Sequence, residues 1–265
     1  MLIRQEIKLL LLLILMFLIF LSFVNTNHNK KDIEYIHEFR TDRDVKKLQK
    51  IIDNTTAEGV IVYDTSRNKV LGQKNIDRTY SLASLTKIIT ATLIYESNIS
   101  LLDSIREMLR NSNNKEAEQM AHAFGDDQKS QVSVMNNFTK RFGGFYFRNV
   151  SGLDIIISTS TKERIPGGQA KLLPLVTFIE EYYFKYPELF DQTIIAEDNT
   201  NVIVNRLSFL NGGKTGYTDL SGGNLFVSIQ KGLDRQIFII VLNSTEKSRF
   251  VDVQNIANFL LQSSI

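Results

Sequence analysis

Tyr80-Ser-Leu-Ala-Ser-Leu-Thr-Lys-Ile-Ile-Thr90 is the stretch of sequence from which the fold is argued. It leads into a segment, Leu85 to Tyr95, that is apolar on nearly every side and contains neither glycine nor proline. A helix with apolar residues all around it is typically buried on several sides. The stretch therefore predicts a central buried helix with Ser84 at its mouth.

Ser84 and Lys87 form a Ser-x-x-Lys motif at this point. Residues three apart lie on one face of a helix, so the lysine amine can take the proton of the serine hydroxyl. A lysine with an ordinary pKa of about 10.4 is a base only if burial or a nearby cation favours its neutral form. The apolar surroundings and a second lysine, Lys214, can supply both effects. The alternative is that Ser84 merely caps the helix.

The same four-residue pattern also begins at Ser66, Ser112, Ser228 and Ser244. Those copies fall in a turn, a polar segment or a strand pattern, where residues three apart face opposite sides. Only the copy at Ser84 precedes a buried helix, so it is the candidate for nucleophilic chemistry.

Outward from this helix, the sequence predicts strands near both chain ends and helices between them. A β-rich hairpin precedes the helix, two strands follow much later, and an amphipathic run closes the chain. This order favours an α+β fold, with an antiparallel sheet flanked by helices, over alternating βαβ units. The strands are expected at 60–64, 69–73, 224–230 and 236–242, and the further helices at 115–124, 133–142, 170–185 and 250–261.

The overall composition restricts the chemistry. The 265 residues include 31 basic and 29 acidic side chains, and this net charge of +2 gives no reason to expect nucleic acid as a partner. The absence of cysteine excludes disulfides and thiolate sites, and the 3 histidines are not spaced as a metal-binding pair. We expect no metal and no cofactor, so catalysis must depend on Ser, Lys, Asp, Glu or Tyr.

Two further short motifs follow in the chain. Ser112-Asn113-Asn114 opens a predicted helix, and Lys214-Thr215-Gly216 precedes a predicted strand, where the glycine lets a ligand approach the backbone. A phosphate-binding loop is excluded, because Ser208 stands where that loop needs glycine. In this order the three motifs reproduce the S-x-x-K, S-x-N and K-T-G set of the penicillin-recognising serine enzymes.

The residues that flank the three motifs narrow this resemblance to one family. The chain resembles the serine-type D-Ala-D-Ala carboxypeptidases, the low-molecular-weight penicillin-binding proteins, from about Val60 to the C-terminal helix. The resemblance implies a β-lactamase/transpeptidase-like fold. Because the interval from Ser84 to Ser112 is shorter than in well-known members, we expect a reduced helical subdomain. Besides the stretch quoted first, the likeness rests on Phe147-Arg-Asn-Val-Ser-Gly-Leu-Asp154 and Gly213-Lys-Thr-Gly-Tyr-Thr-Asp219.

The resemblance also implies a substrate and a role for each motif residue. The substrate is a peptidoglycan stem peptide ending in D-Ala-D-Ala, and β-lactams are covalent inhibitors. Ser84 is the acylated nucleophile, Lys87 its base and Ser112 a proton relay. Substrate binding falls to Asn114, Lys214, Thr215, Gly216 and Tyr217, with the backbone N–H groups of Ser84 and Tyr217 as the oxyanion hole. Asn149 and Gly152 are expected to form a turn.

Three alternatives stay open from the sequence. A class A β-lactamase shares the motifs but needs a glutamate that activates water, and no E-x-x-L-N sequence occurs between Asn114 and Lys214. An endopeptidase or transpeptidase forms the same acyl-enzyme and differs only in its substrate or acceptor. A membrane-tethered penicillin-binding or sensing module would keep the fold without turnover.

The N-terminus carries a separate signal. Leu9 to Val24 contains only one polar residue, Ser22, and follows Arg4 and Lys8. No small-x-small cleavage site follows, which favours an uncleaved anchor, although removal of the segment stays open. The positive flank predicts a single-pass protein of the cytoplasmic membrane with an extracytoplasmic catalytic domain. The expected divisions are 1–24 for the anchor or signal, 25–50 for a linker and N-terminal helix, and 51–265 for the catalytic domain.

Overall fold

A computed structural model of the protein describes residues 42–265. Within these residues two compact units are distinguished, 42–46 with Ser264–Ile265, and Lys47–Ser263. In the first unit, the backbone N–H and hydroxyl of Ser264 donate to the Asp44 carboxylate. The predicted anchor and the linker up to residue 41 lie outside the described residues, and the domain boundaries stay predictions. No helix within 42–265 combines the length and apolar character that crossing a membrane requires.

Helices and strands follow one another in the predicted order, with additions. The longest added strand spans Leu210–Thr218, so Lys214, Thr215 and Gly216 lie within a strand and not ahead of one. The helices are α1 (42–53), α2 (Thr86–Ser97), α3 (Leu102–Asn111), α4 (Asn114–Met120), α5 (Gln128–Thr139), α6 (Leu172–Lys185) and α7 (Ser248–Gln262). The strands are β1 (Gly59–Asp64), β2 (Lys69–Lys74), β3 (Thr79–Ser81), β4 (Phe145–Phe147), β5 (Ile155–Ser158), β6 (Glu163–Ile165), β7 (Gly168–Lys171), β8 (Leu210–Thr218), β9 (Gly222–Lys231) and β10 (Arg235–Ser244).

The largest sheet has the strand order β2-β1-β10-β9-β8, and all of its pairs are antiparallel. Its central strand, β10, pairs with β1, and Ile61 lies opposite Ile240. Every residue of β1 is buried, as expected of a β-branched strand covered on both faces. Alternate residues of β10 pack with α2 and α6, and α7 packs on β9 and β10. The expected antiparallel sheet built from both chain ends is therefore confirmed.

The buried helix predicted from Leu85 to Tyr95 is α2. The residues from Thr86 to Tyr95 are all buried, including Lys87. The 3-10 turn Ala83–Leu85 precedes the helix and carries Ser84. A core helix is held in place by packing on all sides, so Ser84 and Lys87 sit on a rigid element.

The predicted helical region between α2 and β4 contains three helices. Helix α3 was not predicted: its N-cap position is Leu101, which makes no side-chain cap bond, although Ile105, Met108 and Leu109 are buried at helical spacing. Helix α5 begins five residues before the predicted start at 133, because Asp127 and Ser130 form a capping box ahead of the apolar positions.

Two small sheets complete the fold, with strand orders β3-β7-β4 and β5-β6. Their strands were not predicted, since three or four residues are too few to show a period of two. In the first sheet, Tyr80 pairs with Ala170. This pairing fixes the chain just before the turn that carries Ser84.

Candidate active site

Ser84 lies in a turn with an unusual backbone conformation. Ala83 has φ of 45°, in the left-handed region that non-glycine residues rarely adopt. Gly152 has φ of 82°, and a Cβ built on it would lie 2.0 Å from the Ala83 carbonyl oxygen. The absence of a side chain at position 152 therefore allows the Ser84 turn to pack against the 149–152 segment.

Lys87 is fully buried, and its Nζ points at the Ser84 hydroxyl. Nζ donates to Ser84 Oγ (2.8 Å), Asn114 Oδ1 (2.6 Å) and the Ser151 carbonyl oxygen (3.0 Å). Burial lowers the pKa of Lys87 to about 7, with the Glu118 charge opposing the shift. Near neutral pH, a large fraction of Lys87 is therefore an uncharged amine within reach of the Ser84 proton.

The interpretation of Ser84 as a helix cap is wrong. The N-cap position of α2 is Leu85, and no side chain caps the helix. The Ser84 hydroxyl is engaged by Lys87 instead, as the nucleophile hypothesis requires.

Ser112 and Asn114 reach the same place from the junction between α3 and α4. Ser112 is the C-cap of α3, with φ of 63°. Asn113 caps α4 by accepting from the N–H groups of Lys115 and Glu116, which leaves Asn114 as the first helical residue. Because the chain reverses in this way, Asn114 contacts Lys87 while Ser112 contacts Lys214.

Lys214 lies on β8, at the edge of the large sheet. Its Nζ donates to Ser112 Oγ (2.7 Å) and to the carbonyl oxygen of Thr215 (3.0 Å). Burial, and then the charges of Lys87 and Arg249, hold the pKa of Lys214 well below its usual value. The Thr215 hydroxyl is 2.5 Å from the Thr200 hydroxyl, so these two side chains are hydrogen-bonded to each other.

Gly216 brings the backbone of β8 against the Ser84 turn. A Cβ at Gly216 would lie 2.8 Å from the Leu82 carbonyl oxygen and 3.1 Å from the Ser84 backbone nitrogen. Any side chain here would force the strand away from the nucleophile. Tyr217 comes next on the strand with 45% of its side chain exposed. The oxyanion hole assigned to the Ser84 and Tyr217 N–H groups stays a prediction.

The structure thus brings the three distant motifs together: Lys87 joins Ser84 to Asn114, Lys214 binds Ser112, and Gly216 abuts the Ser84 backbone. Within residues 42–265, no three His, Cys, Asp or Glu side chains are grouped so as to hold a metal ion.

Sequence reasoning missed four contributors. Ser151 supplies a carbonyl acceptor to Lys87, and Arg249 donates to the Gly216 carbonyl oxygen (2.6 Å) from α7. Glu118 acts on Lys87 through its charge, and Thr200 contacts Thr215. The signal for Ser151 was present in the 147–154 segment, but backbone contacts leave no side-chain pattern. Nothing in the sequence marks the other three.

The 149–152 segment forms the turn expected for Asn149 and Gly152. Asn149 Oδ1 accepts from the backbone N–H groups of Ser151 and Gly152. This side-chain turn orients the Ser151 carbonyl toward Lys87.

A sequence model of the D-alanyl-D-alanine carboxypeptidase family, peptidase S11, matches residues 45–101 and 96–246. The chain belongs to this family. The resemblance drawn from the three motifs is therefore confirmed. Family membership favours a serine-type D-Ala-D-Ala carboxypeptidase over a β-lactamase or a binding module.

Three curated relatives illustrate the family. The chain is 25% identical to D-alanyl-D-alanine carboxypeptidase DacA of Escherichia coli, over 78% of this chain and 61% of DacA. It is 26% identical to DacF of Bacillus subtilis, over 77% of this chain and 61% of DacF. A D-alanyl-D-alanine endopeptidase of Haemophilus influenzae is 22% identical, over 72% of this chain and 77% of that protein. The chain thus spans about three fifths of the two carboxypeptidases.

Solved structures confirm the fold class. Penicillin-binding protein D2 of Listeria monocytogenes, in its ampicillin-bound form, matches with a TM-score of 0.68 and 21% identity, over 78% of this chain and 98% of that one. The D-alanyl-D-alanine carboxypeptidase of Mycobacterium tuberculosis matches with a TM-score of 0.66 and 17% identity, over 79% and 92%. The α+β architecture with flanking helices is that of the penicillin-binding transpeptidase fold.

Proposed function

We propose that this protein removes the terminal D-alanine from peptidoglycan stem peptides through an acyl-enzyme on Ser84. The observation that carries the proposal is the 2.8 Å contact from the buried Lys87 amine to the Ser84 hydroxyl. A lysine with a pKa near 7 can accept the serine proton without a histidine.

In acylation, neutral Lys87 takes the Ser84 proton as Oγ bonds to the carbonyl carbon of the penultimate D-alanine. The carbonyl oxygen gains the negative charge and is stabilised by the backbone N–H groups of Ser84 and Tyr217. The peptide C–N bond then breaks, and the proton reaches the leaving amine through Ser112, which Lys214 contacts. Water afterwards attacks the ester, which frees Ser84 and returns the proton.

Substrate binding follows from the groups around Ser84. Asn114 Oδ1 already accepts from Lys87, so its Nδ2 is the group available to the peptide carbonyl. The Thr215 hydroxyl and the Lys214 side chain, next to the buried guanidinium of Arg249, favour a free carboxylate at the substrate terminus. This preference for a free carboxylate supports a carboxypeptidase over an endopeptidase.

β-Lactams are expected to acylate Ser84 by the same route. The ampicillin-bound form of the Listeria protein supports this expectation through its similar fold. The lactam carbonyl takes the place of the scissile peptide carbonyl, and the lactam C–N bond breaks when the ester forms.

The proposal extends to location. The apolar segment from Leu9 to Val24 tethers the chain to the cytoplasmic membrane, with the catalytic domain on the outer side. The test is cell fractionation of the full chain beside a variant lacking residues 1–24. The full chain should pellet with membranes and resist carbonate extraction, and extraction of the full chain with carbonate would contradict the tether.

The enzymatic proposal is tested with the full chain, a fluorescent penicillin and a stem pentapeptide. The wild type should be labelled covalently and release D-alanine, whereas Ser84→Ala should do neither. A cross-linked dimer peptide offered in parallel separates carboxypeptidase from endopeptidase activity. Labelling that persists in Ser84→Ala, or cleavage of the dimer in preference to the pentapeptide, would overturn the assignment.

A further inference from the structure

A polar cavity of about 250 Å³ lies beside α4 and has no role in the mechanism above. We call it the α4 cavity. It is lined by Glu118, His122, Gln128, Gln131, Asn149 and Val150.

Glu118 connects this cavity to the catalytic lysine. The Ser151 hydroxyl is 3.2 Å from Glu118 Oε1 and 2.6 Å from Asn149 Oδ1. Both of those atoms accept, so the single Ser151 proton is held between them. The carbonyl of the same buried residue accepts from Lys87 Nζ at 3.0 Å. Glu118 therefore contacts the residue whose carbonyl supports Lys87.

We propose that Glu118 is a positioning residue for Lys87: it helps to hold Ser151 so that the Ser151 carbonyl faces Nζ, and its negative charge stabilises the protonated Lys87 formed during acylation. This inference rests on the proposed function. A carboxylate is suited to this role because its charge lies on the exposed cavity side of Ser151 and acts on the buried lysine beyond it.

The charges around Glu118 are few. Helix α4 itself carries Lys115 and Glu116, and His122 follows one turn after Glu118. From α2 the facing charged group is Lys87, and from α5 the cavity residues are the neutral Gln128 and Gln131. In the 148–152 segment, Arg148 turns away to the Pro166 carbonyl and to Gln169. The Glu118 charge raises the pKa of Lys87 against the larger lowering by burial.

The protonation state of Lys87 determines how loss of the Glu118 charge should change the pH dependence of acylation. Neutral Lys87 is the base, so acylation is fast above its pKa and slow below it. Replacing Glu118 by glutamine removes the charge that favours protonated Lys87, and the pKa of Lys87 must fall. We expect the acidic limb of the acylation profile to move down by about one pH unit, so that the rate at pH 6, as a fraction of the plateau rate, rises roughly fivefold. The plateau rate at pH 8.5 should itself fall modestly, because the protonated Lys87 formed during acylation loses a stabilising charge.

The experiment measures acylation by fluorescent penicillin from pH 5 to 9 in the wild type and in Glu118→Gln, using the full chain. Glu107→Gln is the matched control, because it removes the same charge from an exposed position on α3. The double variant Glu118→Gln/His122→Gln should keep the shift, since the shift does not depend on the imidazole. Thermal unfolding checks that each variant is folded.

Each outcome is decisive. A limb that moves to lower pH only in the variants with Glu118→Gln supports the inference. An unmoved limb, or an equal loss of rate at every pH as from a purely structural role, overturns it while the proposed function stands. A wild type that penicillin does not acylate overturns the proposed function, and this inference with it.

Discussion

Lys214 Nζ lies 2.7 Å from Ser112 Oγ, although the two residues are 102 positions apart in the chain. Lys87 makes the matching contact with Ser84, so the cleft holds two buried amines, each on its own serine hydroxyl. Burial favours the neutral form of both amines, and the charge of Lys87 lowers the pKa of Lys214 further. The site therefore has two buried amines suited to moving protons.

Removing the Ser112 hydroxyl should slow acylation strongly. Ser112→Ala leaves Lys214 without its acceptor and the leaving group without a relay, and loss of such proton transfer costs about 10²-fold or more. The measurement is the second-order acylation rate with fluorescent penicillin. Ser104→Ala, on the exposed face of α3, is the control and should match the wild type. A Ser112→Ala rate within about twofold of wild type would show that the relay runs elsewhere.

Acylation should depend on pH through Lys87. Since the neutral amine is the base and burial lowers its pKa to about 7, the rate should rise as pH increases through about 7 and then level off. Stopped-time labelling between pH 5 and pH 9 measures this profile. A rate that is flat across that range would rule out Lys87 as the proton acceptor.

The free energy of unfolding should depend on pH through the same pKa of Lys87. The folded pKa of Lys87 is about 7 and the unfolded value is about 10.4, so between them the unfolded chain binds a proton that the folded chain does not. As pH rises from 7.5 to 9.5, the free energy of unfolding of the wild type should therefore increase, relative to that of Lys87→Met, by about 1.4 kcal/mol per pH unit. Below pH 6 the difference between the two proteins should be constant. Urea unfolding of both proteins tests this, and a constant difference would mean that Lys87 stays charged when folded.

Two glycines with similar φ angles should respond differently to alanine. Gly152→Ala places a Cβ 2.0 Å from the Ala83 carbonyl oxygen and should cost about 3 kcal/mol or more, with loss of labelling, because the Ser84 turn must move. Gly143→Ala meets nothing within 4 Å and should cost only backbone strain of about 1 to 3 kcal/mol, with penicillin labelling unchanged. Chemical denaturation and penicillin labelling compare the two variants. Equal labelling of the two folded variants would show that the packing against Ala83 is not what position 152 requires.

Sequence patterns predicted the parts of the fold whose residues repeat regularly. The buried helix from Thr86 and the strands β1, β9 and β10 follow from continuous apolar runs that strands and core helices produce. Helix α3 was not predicted because Leu101 makes no cap bond, and β3 to β7 are too short to show a period. Strand β8 was not predicted because it contains three glycines and no apolar run. In each case the element is stabilised by tertiary packing, which leaves no signal in the local sequence.

The candidate site was predictable only where side chains meet side chains. Ser84, Lys87, Ser112, Asn114 and Lys214 form motifs because chemistry fixes residue types at fixed spacings. The Ser151 carbonyl can be supplied by any residue, and Arg249 reaches Gly216 from a helix 33 positions away. Contacts made by the backbone, or across such distances, leave no local pattern to detect.

The pairing of β1 with β10 at the centre of the sheet has a consequence for biosynthesis. A chain interrupted before residue 235 contains Ser84 and Lys87, yet it lacks the strand that joins β1 to β9 and thereby to the Lys214 strand. Non-local pairing of this kind must wait for late residues. The catalytic site is therefore completed only after β10 has been synthesised, and a chain that ends before this strand should be inactive.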